Sequence, residues 1–259
     1  MLTTLAVLMS LSGVASTVAQ AGGGEVDVEL VLAVDTSRSM DYEEVRIQRE
    51  GYVVALKHEE FIDAVKNGLT GRIAISYFEW AGYVVPDSVI DWQLIETQQD
   101  AIDFAGKLEA RPISTQRRTS ISAAIAQGAT MIASSPYDGI KEVIDVSGDG
   151  PNNSGDPVMS TRDKATKAGI VINGLAIMLR PAEAPSGPDR YYADCVIGGP
   201  GSFVLPVRKI EDFAVAVRRK LVMEISGLTP PAAVRKIAGD VPATDCLIGE
   251  KQWQDLFNR

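Results

Sequence analysis

The chain has 259 residues, a net charge of −9, a single histidine and two cysteines. This length is ample for a large hydrophobic core, so neither disulfides nor a metal is required to hold the fold together. The acidic balance argues against nucleic-acid binding and against a polybasic membrane anchor, because both need a basic surface. One histidine and two cysteines also exclude multi-histidine metal sites, zinc ribbons and thiolate-bound iron–sulfur clusters.

Residues 1–21 form an apolar stretch without a charged side chain that ends in Ala19-Gln20-Ala21. An apolar segment followed by small residues in this A-x-A pattern is typical of a cleavable signal peptide. A membrane anchor that stays in place is the alternative, because the stretch approaches spanning length. We expect cleavage and export to the periplasm or the extracellular space, with no stable membrane insertion afterwards.

Apolar periodicity predicts strands that alternate with helices along almost the whole remaining chain. The predicted strands are 27–35, 72–79, 88–93, 141–147, 170–178 and 203–207. The predicted helices are 43–66, 98–110, 120–133, 157–168 and 210–225. Residues 180–202 are rich in Pro, Gly and Asp and indicate a long loop, and Pro206 restricts the last strand to a sheet edge.

This alternation is typical of parallel β-α units with helices on both faces of one sheet. We therefore predict an α/β fold with a doubly wound, mostly parallel sheet, formed by a single domain over residues 22–226. Residues 227–259 form a C-terminal extension that we predict to be irregular, since it carries a Pro-Pro pair and little apolar periodicity.

Oxygen-bearing side chains follow three of the predicted elements. Asp35 ends the first strand and is followed by Ser37 and Ser39, Thr119 introduces the alanine-rich helix, and Asp149 follows the fourth strand. The carboxyl ends of parallel strands meet at one edge of a sheet, so we expect these groups to lie together. Each hydroxyl alone is more typical of a helix cap, but together they are hard donors that suit Mg²⁺, Mn²⁺ or Ca²⁺.

The D-x-S-x-S run after an apolar strand, the lone Thr before a helix and the later S-G-D-G resemble a von Willebrand factor A-type domain. The resemblance covers roughly residues 27–225, and it extends to exported bacterial proteins that carry this domain. It implies that the five residues named above form a metal-ion-dependent adhesion site (MIDAS). It also implies that Mg²⁺ is completed there by a carboxylate of a protein ligand, in a binding module rather than an enzyme.

Arg117 and Arg118 stand where that family usually has glycines just before its threonine. Two guanidinium groups at this position are expected to form a rim that attracts an anionic partner in spite of the acidic total charge.

The cysteines, Cys195 and Cys246, form the one pair that the sequence allows. In an oxidising compartment an even cysteine count favours a disulfide, which would tie the C-terminal extension to the domain. Two buried free thiols are the alternative.

Two other functions compete with metal-dependent adhesion. One is an interaction module of the same fold that binds no metal. The other is a haloacid-dehalogenase-like phosphatase, but this family needs an aspartic acid two positions after its nucleophile, where this chain has Ser37. A serine hydrolase would depend on His58, which we predict to be exposed in the middle of a helix.

Overall fold

The computed structural model describes residues 23–180, 187–228 and 244–258, so the predicted signal peptide lies outside the described residues. The strands are β1 (Glu25–Asp35), β2 (Ile73–Trp80), β3 (Ile90–Ile95), β4 (Asp138–Gly148), β5 (Val171–Ile177) and β6 (Val204–Val207). They form one six-stranded sheet in the order β3-β2-β1-β4-β5-β6. The chain thus runs outward from a central first strand in both directions, which is the doubly wound arrangement.

The central strand β1 is buried along almost its whole length because its apolar side chains face helices on both sides. It pairs in parallel with β2 and with β4, and it places Asp35 beside Trp80 at one end of the sheet. The outer strand β3 runs antiparallel to β2, whereas β5 and β6 continue the parallel set. The predicted mostly parallel sheet is confirmed, and β6 is an edge strand, where Pro206 needs no amide hydrogen.

Helices cover both faces of the sheet. They are α1 (Tyr42–Lys57), α2 (Glu59–Lys66), α3 (Gln98–Glu109), α4 (Ile121–Ala133), α5 (Val158–Lys167), α6 (Pro188–Tyr191), α7 (Phe213–Ser226) and α8 (Ile248–Phe257). Alternate side chains of β1 enter two separate apolar clusters, one with α1, α2, α3 and α7 and the other with α4 and α5. In the described part of the chain, no helix has both the length and the apolar character to cross a bilayer.

The predicted single helix over 43–66 is wrong, because the chain breaks at His58. This residue has an extended backbone, with φ −78° and ψ 144°, and its ring nitrogen accepts a hydrogen bond from the amide of Glu60. Histidine therefore acts as the N-cap of α2 rather than as an exposed residue inside one helix. The acidic residues that follow, Glu59 and Glu60, favour a helix start because they interact with its positive end.

Two segments that we predicted to be irregular contain helices. Pro188 begins the short helix α6, since proline suits the first turn of a helix, and a π-helical turn over Tyr192–Val196 follows it. The C-terminal extension contains α8, in which Ile248 packs against the core of the domain. Both helices are short and depend on tertiary contacts, which an apolar period in the sequence does not reveal.

A charged cluster lies in the core between the sheet and α7. Lys220 contacts Asp145 at 2.6 Å and Glu224 at 2.5 Å, and all three side chains are fully buried. The amide of Asn173 also donates to Glu224 at 3.0 Å. Burial, and secondly the charge of Glu224, raises the pKa of Asp145 to about 7. One lysine therefore faces two carboxyl groups, and the folded state favours a proton on the aspartate.

We expect this cluster to make stability fall as the pH rises from about 4 towards about 7. The pKa of Asp145 is about 7 in the folded protein and lower in the unfolded chain, so folding takes up a proton in this range. The effect reaches at most about 4 kcal/mol. Denaturant unfolding of wild type and Asp145→Asn across this range is the measurement, and the variant should show a flatter pH dependence. Asp91→Asn, at an exposed position, is the control and should keep the pH dependence of wild type. If the free energy of unfolding of Asp145→Asn changes with pH as steeply as that of wild type, this expectation is wrong.

Candidate metal centre

The first loop of the candidate site begins with Asp35, which is fully buried at the end of β1. The backbone amide of Ser37 donates to Oδ1 of Asp35 at 2.7 Å. The side-chain amide Nε2 of Gln48 donates to the backbone carbonyl of Asp35 at 2.7 Å. Oδ2 of the same carboxyl group has no hydrogen-bond partner among the described residues. One oxygen of this buried carboxyl group is thus held in place and the other is left for a ligand.

A chain of hydroxyl groups connects the first loop with the third. Ser37 Oγ and Ser39 Oγ lie 2.8 Å apart, and Ser39 Oγ donates to Oδ1 of Asp149 at 2.7 Å. Ser37 is buried, whereas Ser39 is exposed to solvent. The structure therefore brings four of the five predicted ligands together by direct contacts, with a path to solvent past Ser39.

The two aspartates are both placed where a negative charge is unfavourable. Burial, and secondly the charge of Asp149, raises the pKa of Asp35 well above its usual range. Burial also raises the pKa of Asp149, while the hydrogen bond from Ser39 lowers it. A positively charged group bound between these two buried carboxyl groups would stabilise their ionised forms.

The fifth predicted ligand, Thr119, lies on the second loop and is tied to the third loop by its backbone. Its amide donates to Oδ1 of Asn153 at 2.8 Å, and its carbonyl accepts from the amide of Asn153 at 2.8 Å. The second loop also pairs with the first, since the amide of Arg38 donates to the carbonyl of Gln116 at 2.8 Å. Thr119, which is buried, therefore sits where the three loops are joined.

The two rim arginines, Arg117 and Arg118, are both exposed. Arg118 has φ 68°, in the left-handed region that glycine adopts most easily, which fits its position at a place where glycine is usual. Its guanidinium lies over the ring of Trp253 in α8, 4.8 Å from the ring centre. The carbonyl of Arg117 accepts from the amide of Gly82 at 3.1 Å. The sequence did not predict that part of this rim would be covered by the C-terminal extension.

A third arginine, Arg180, was missed by sequence reasoning. It lies just beyond β5 and donates to the carbonyl of Ser39 at 2.6 Å and to Asp41 at 3.1 Å, and it also pairs with Glu44. Its charge lowers the pKa of Asp149, whereas the charge of Glu44 raises it. The position of Arg180 after a strand end was the signal that could have identified it.

Tyr192 also borders the site, although its segment was predicted as a loop. Its hydroxyl is buried and has no hydrogen-bond partner in the described ranges. A Cβ atom added at Gly148 would lie 2.4 Å from this hydroxyl and 2.8 Å from Oδ2 of Asp35. Because Gly148 has no side chain, space remains beside the hydroxyl of Tyr192 and Oδ2 of Asp35.

The predicted disulfide is present and joins Cys195 to Cys246, with their Cα atoms 5.5 Å apart. Cys195 is fully buried in the π-helical turn that begins at Tyr192. The free-thiol alternative is thereby excluded. The bond brings the C-terminal extension to the end of the sheet at which the three loops lie.

Three solved structures resemble this fold at low sequence identity. A von Willebrand factor type A structure from Catenulispora acidiphila has a TM-score of 0.55 and 15% identity, over 78% of this chain and 43% of that one. The vWF domain of the type V pili tip protein Mfa5 from Porphyromonas gingivalis has a TM-score of 0.56 and 10% identity, over 85% of this chain and 99% of that one. Proximal thread matrix protein 1 of the mussel byssus, solved with a zinc-occupied MIDAS motif, has a TM-score of 0.58 and 13% identity. The match covers 79% of this chain and 49% of that one.

This chain thus spans about half the length of the mussel protein, 49%, and the likeness shows the fold alone. None of the curated proteins matches the sequence. Residues 25–229 match the family described as "Protein of unknown function (DUF1194)". Since this match extends over more than half of the sequence, the chain belongs to the DUF1194 family, and its fold is that of a von Willebrand factor A domain.

Proposed function

We propose that this chain is a binding module in which a divalent cation at the candidate site holds an acidic side chain of a protein partner. The observation that carries the proposal is Oδ2 of Asp35, which is buried and has no hydrogen-bond partner in the described part of the chain. The other oxygen of the same carboxyl group accepts from the amide of Ser37, whose hydroxyl begins the chain that leads through Ser39 to Asp149. A buried carboxylate oxygen without a partner is costly, and a cation removes that cost.

The donors fit Mg²⁺, Mn²⁺ or Ca²⁺. Asp35 and Asp149 would provide charge, and Ser37, Ser39 and Thr119 would provide neutral oxygens, a set without nitrogen or sulfur. Within the described ranges, no group of three or more His, Cys, Asp or Glu side chains is placed to hold a metal ion. The candidate site has two carboxyl groups, those of Asp35 and Asp149, and is therefore poor in anionic donors. A cation held by few anionic donors offers an open coordination position to the carboxylate of a partner.

The surroundings of the site favour an acidic partner. Arg117 and Arg118 are exposed on the second loop, and Arg180 lies beside Ser39. Arg180 already contacts Asp41 and Glu44, whose negative charges offset its own. Positive groups around a cation raise the association rate of a negatively charged ligand. The same fold occurs in the vWF domain of the type V pili tip protein Mfa5.

Catalysis is a weaker hypothesis than binding. A haloacid-dehalogenase-like phosphatase would need a general acid two residues after Asp35, and this residue is Ser37. The hydroxyl of Ser37 is buried against Ser39 and is a poor proton donor at neutral pH.

Export is part of the same proposal, and the disulfide between Cys195 and Cys246 supports it. Disulfides persist in oxidising compartments and are rare in the cytosol. Mass spectrometry of the protein from the periplasm and the medium should give a chain that begins after Ala21. Recovery of the uncleaved chain from the cytoplasm alone would contradict export.

Cation binding should stabilise the protein, because a ligand that binds only the folded state raises the free energy of unfolding. At a concentration of about 100 times Kd the gain is about 2.7 kcal/mol, which raises Tm by several degrees. We expect this rise with Mg²⁺ or Mn²⁺ after chelator treatment, with Ca²⁺ and Zn²⁺ as further arms. Asp35→Asn should abolish it, whereas Asp91→Asn, an exposed aspartate on β3, should not change it.

If none of the four cations shifts Tm in wild type, the site is not a cation site and the metal-free interaction module is the better hypothesis. The partner is tested by capture from the cell envelope on immobilised protein. Bound protein should be released by chelator and should be missing from the Asp35→Asn support. Equal capture on both supports would rule out the carboxylate–cation contact.

Gly148→Ala should damage the site from within, because the added Cβ would crowd both Tyr192 and Asp35. We expect a loss of about 1–3 kcal/mol in the free energy of unfolding and a smaller cation-dependent rise in Tm. The double variant with Tyr192→Phe removes the closer of the two contacts and should recover part of the loss. Unchanged stability and cation response in Gly148→Ala would show that the space beside Asp35 is not confined.

A further inference from the structure

The C-terminal residues 244–258, here called the strap, pack against two of the three loops that form the candidate site. They contain α8 and lie beyond residues 25–229, which match the family. The disulfide from Cys246 to Cys195 fixes one end of the strap. The hydroxyl of Tyr191 strengthens this attachment, since it donates to the carbonyl of Cys246 and accepts from the amide of Asn152, at 3.2 Å in each case.

The strap contacts the third loop through Asn152, which is fully buried. Nδ2 of Asn152 donates to Glu250 at 2.7 Å, and its Oδ1 accepts from the amide of Ser122 in the first turn of α4 at 3.1 Å. A Cβ atom at Gly249 would lie 2.1 Å from the carbonyl of Asn152, so the backbone of α8 approaches the loop more closely than another residue would allow. The next residue, Asn153, is the partner of Thr119.

The strap contacts the second loop through Trp253, whose ring lies under the guanidinium of Arg118. Arg118 has a left-handed backbone, which disfavours side chains with a Cβ atom, and the stacking on Trp253 offsets this disadvantage. Thr119 directly follows Arg118. The strap thus contacts Arg118, which precedes Thr119, and Asn152, which precedes Asn153, the hydrogen-bond partner of Thr119.

We propose that the strap is a positioning element of the cation site: by holding Arg118 and Asn152 it fixes Thr119 relative to Asp149 and thereby raises the affinity for the cation. This inference rests on the proposed function. Glu250 and Trp253 are its positioning residues, and neither is counted among the ligands. Because coupling between two equilibria is reciprocal, the cation must in turn hold the strap more firmly on the domain.

The affinity of the full chain for Mn²⁺, measured by isothermal titration calorimetry, tests the first half of this proposal. Trp253→Ala and Glu250→Ala should each weaken binding by about 5- to 10-fold, as expected when one partly buried contact of this kind is lost. Glu250→Gln keeps an oxygen that accepts from Asn152 and should stay within about twofold of wild type. Gln252→Ala, an exposed position on the same helix, is the matched control and should bind as wild type does.

Hydrogen–deuterium exchange of the wild-type chain tests the reciprocal half without any strap variant. Amides of α8 should exchange several-fold more slowly with Mn²⁺ than with chelator, and Asp35→Asn should show no difference. A strap with a purely structural role would exchange at the same rate in both conditions.

The outcomes separate the two proposals. If wild type binds no Mn²⁺, the proposed function fails and this inference fails with it. If wild type binds Mn²⁺ while both alanine variants, shown to be folded by circular dichroism in chelator, bind equally well, only the role of the strap is overturned. Unchanged exchange in α8 upon cation binding overturns it as well.

Discussion

The buried carboxyl group of Asp35 is the constraint around which the three loops at the end of the sheet are arranged. It is fully buried because β1 lies in the centre of the sheet, and one of its oxygens has no partner within the described residues. A buried charge is tolerated only when neighbours compensate for it. The amide of Ser37 stabilises the ionised form, whereas the nearby carboxyl group of Asp149 disfavours it, so the compensation is incomplete. Asp35 therefore affects stability directly, and it is also the residue on which the proposed cation binding depends.

Much of this arrangement followed from the sequence, because a parallel sheet converts position along the chain into position in space. Long apolar runs such as 27–35 predicted strands buried on both faces, and the carboxyl-end rule then placed Asp35, Ser37, Ser39 and Asp149 at one edge. Their hydrogen bonds agree with that placement. The two cysteines allowed one pairing, and the structure contains it.

The residues that the sequence did not reveal act across long separations or through the backbone. Asn153 and Asn152 join the third loop to the second loop and to α8. Arg180 contacts Ser39 over a separation of 141 residues, and the hydrophobic periodicity of the sequence does not predict such a contact. Trp253 sits in a helix of ten residues that gains its stability from docking, so its sequence looks irregular on its own.

The disulfide has a consequence for the strap that goes beyond attachment. It closes a ring over a sequence separation of 51 residues, which contains β6 and α7. In the chain-entropy view, a ring of this size destabilises the unfolded chain by about 4 kcal/mol. It also keeps α8 at a high effective concentration beside its docking surface, so that contacts too weak to bind a free peptide are sufficient. The disulfide therefore keeps α8 beside the domain even when the contacts of Glu250 and Trp253 are broken.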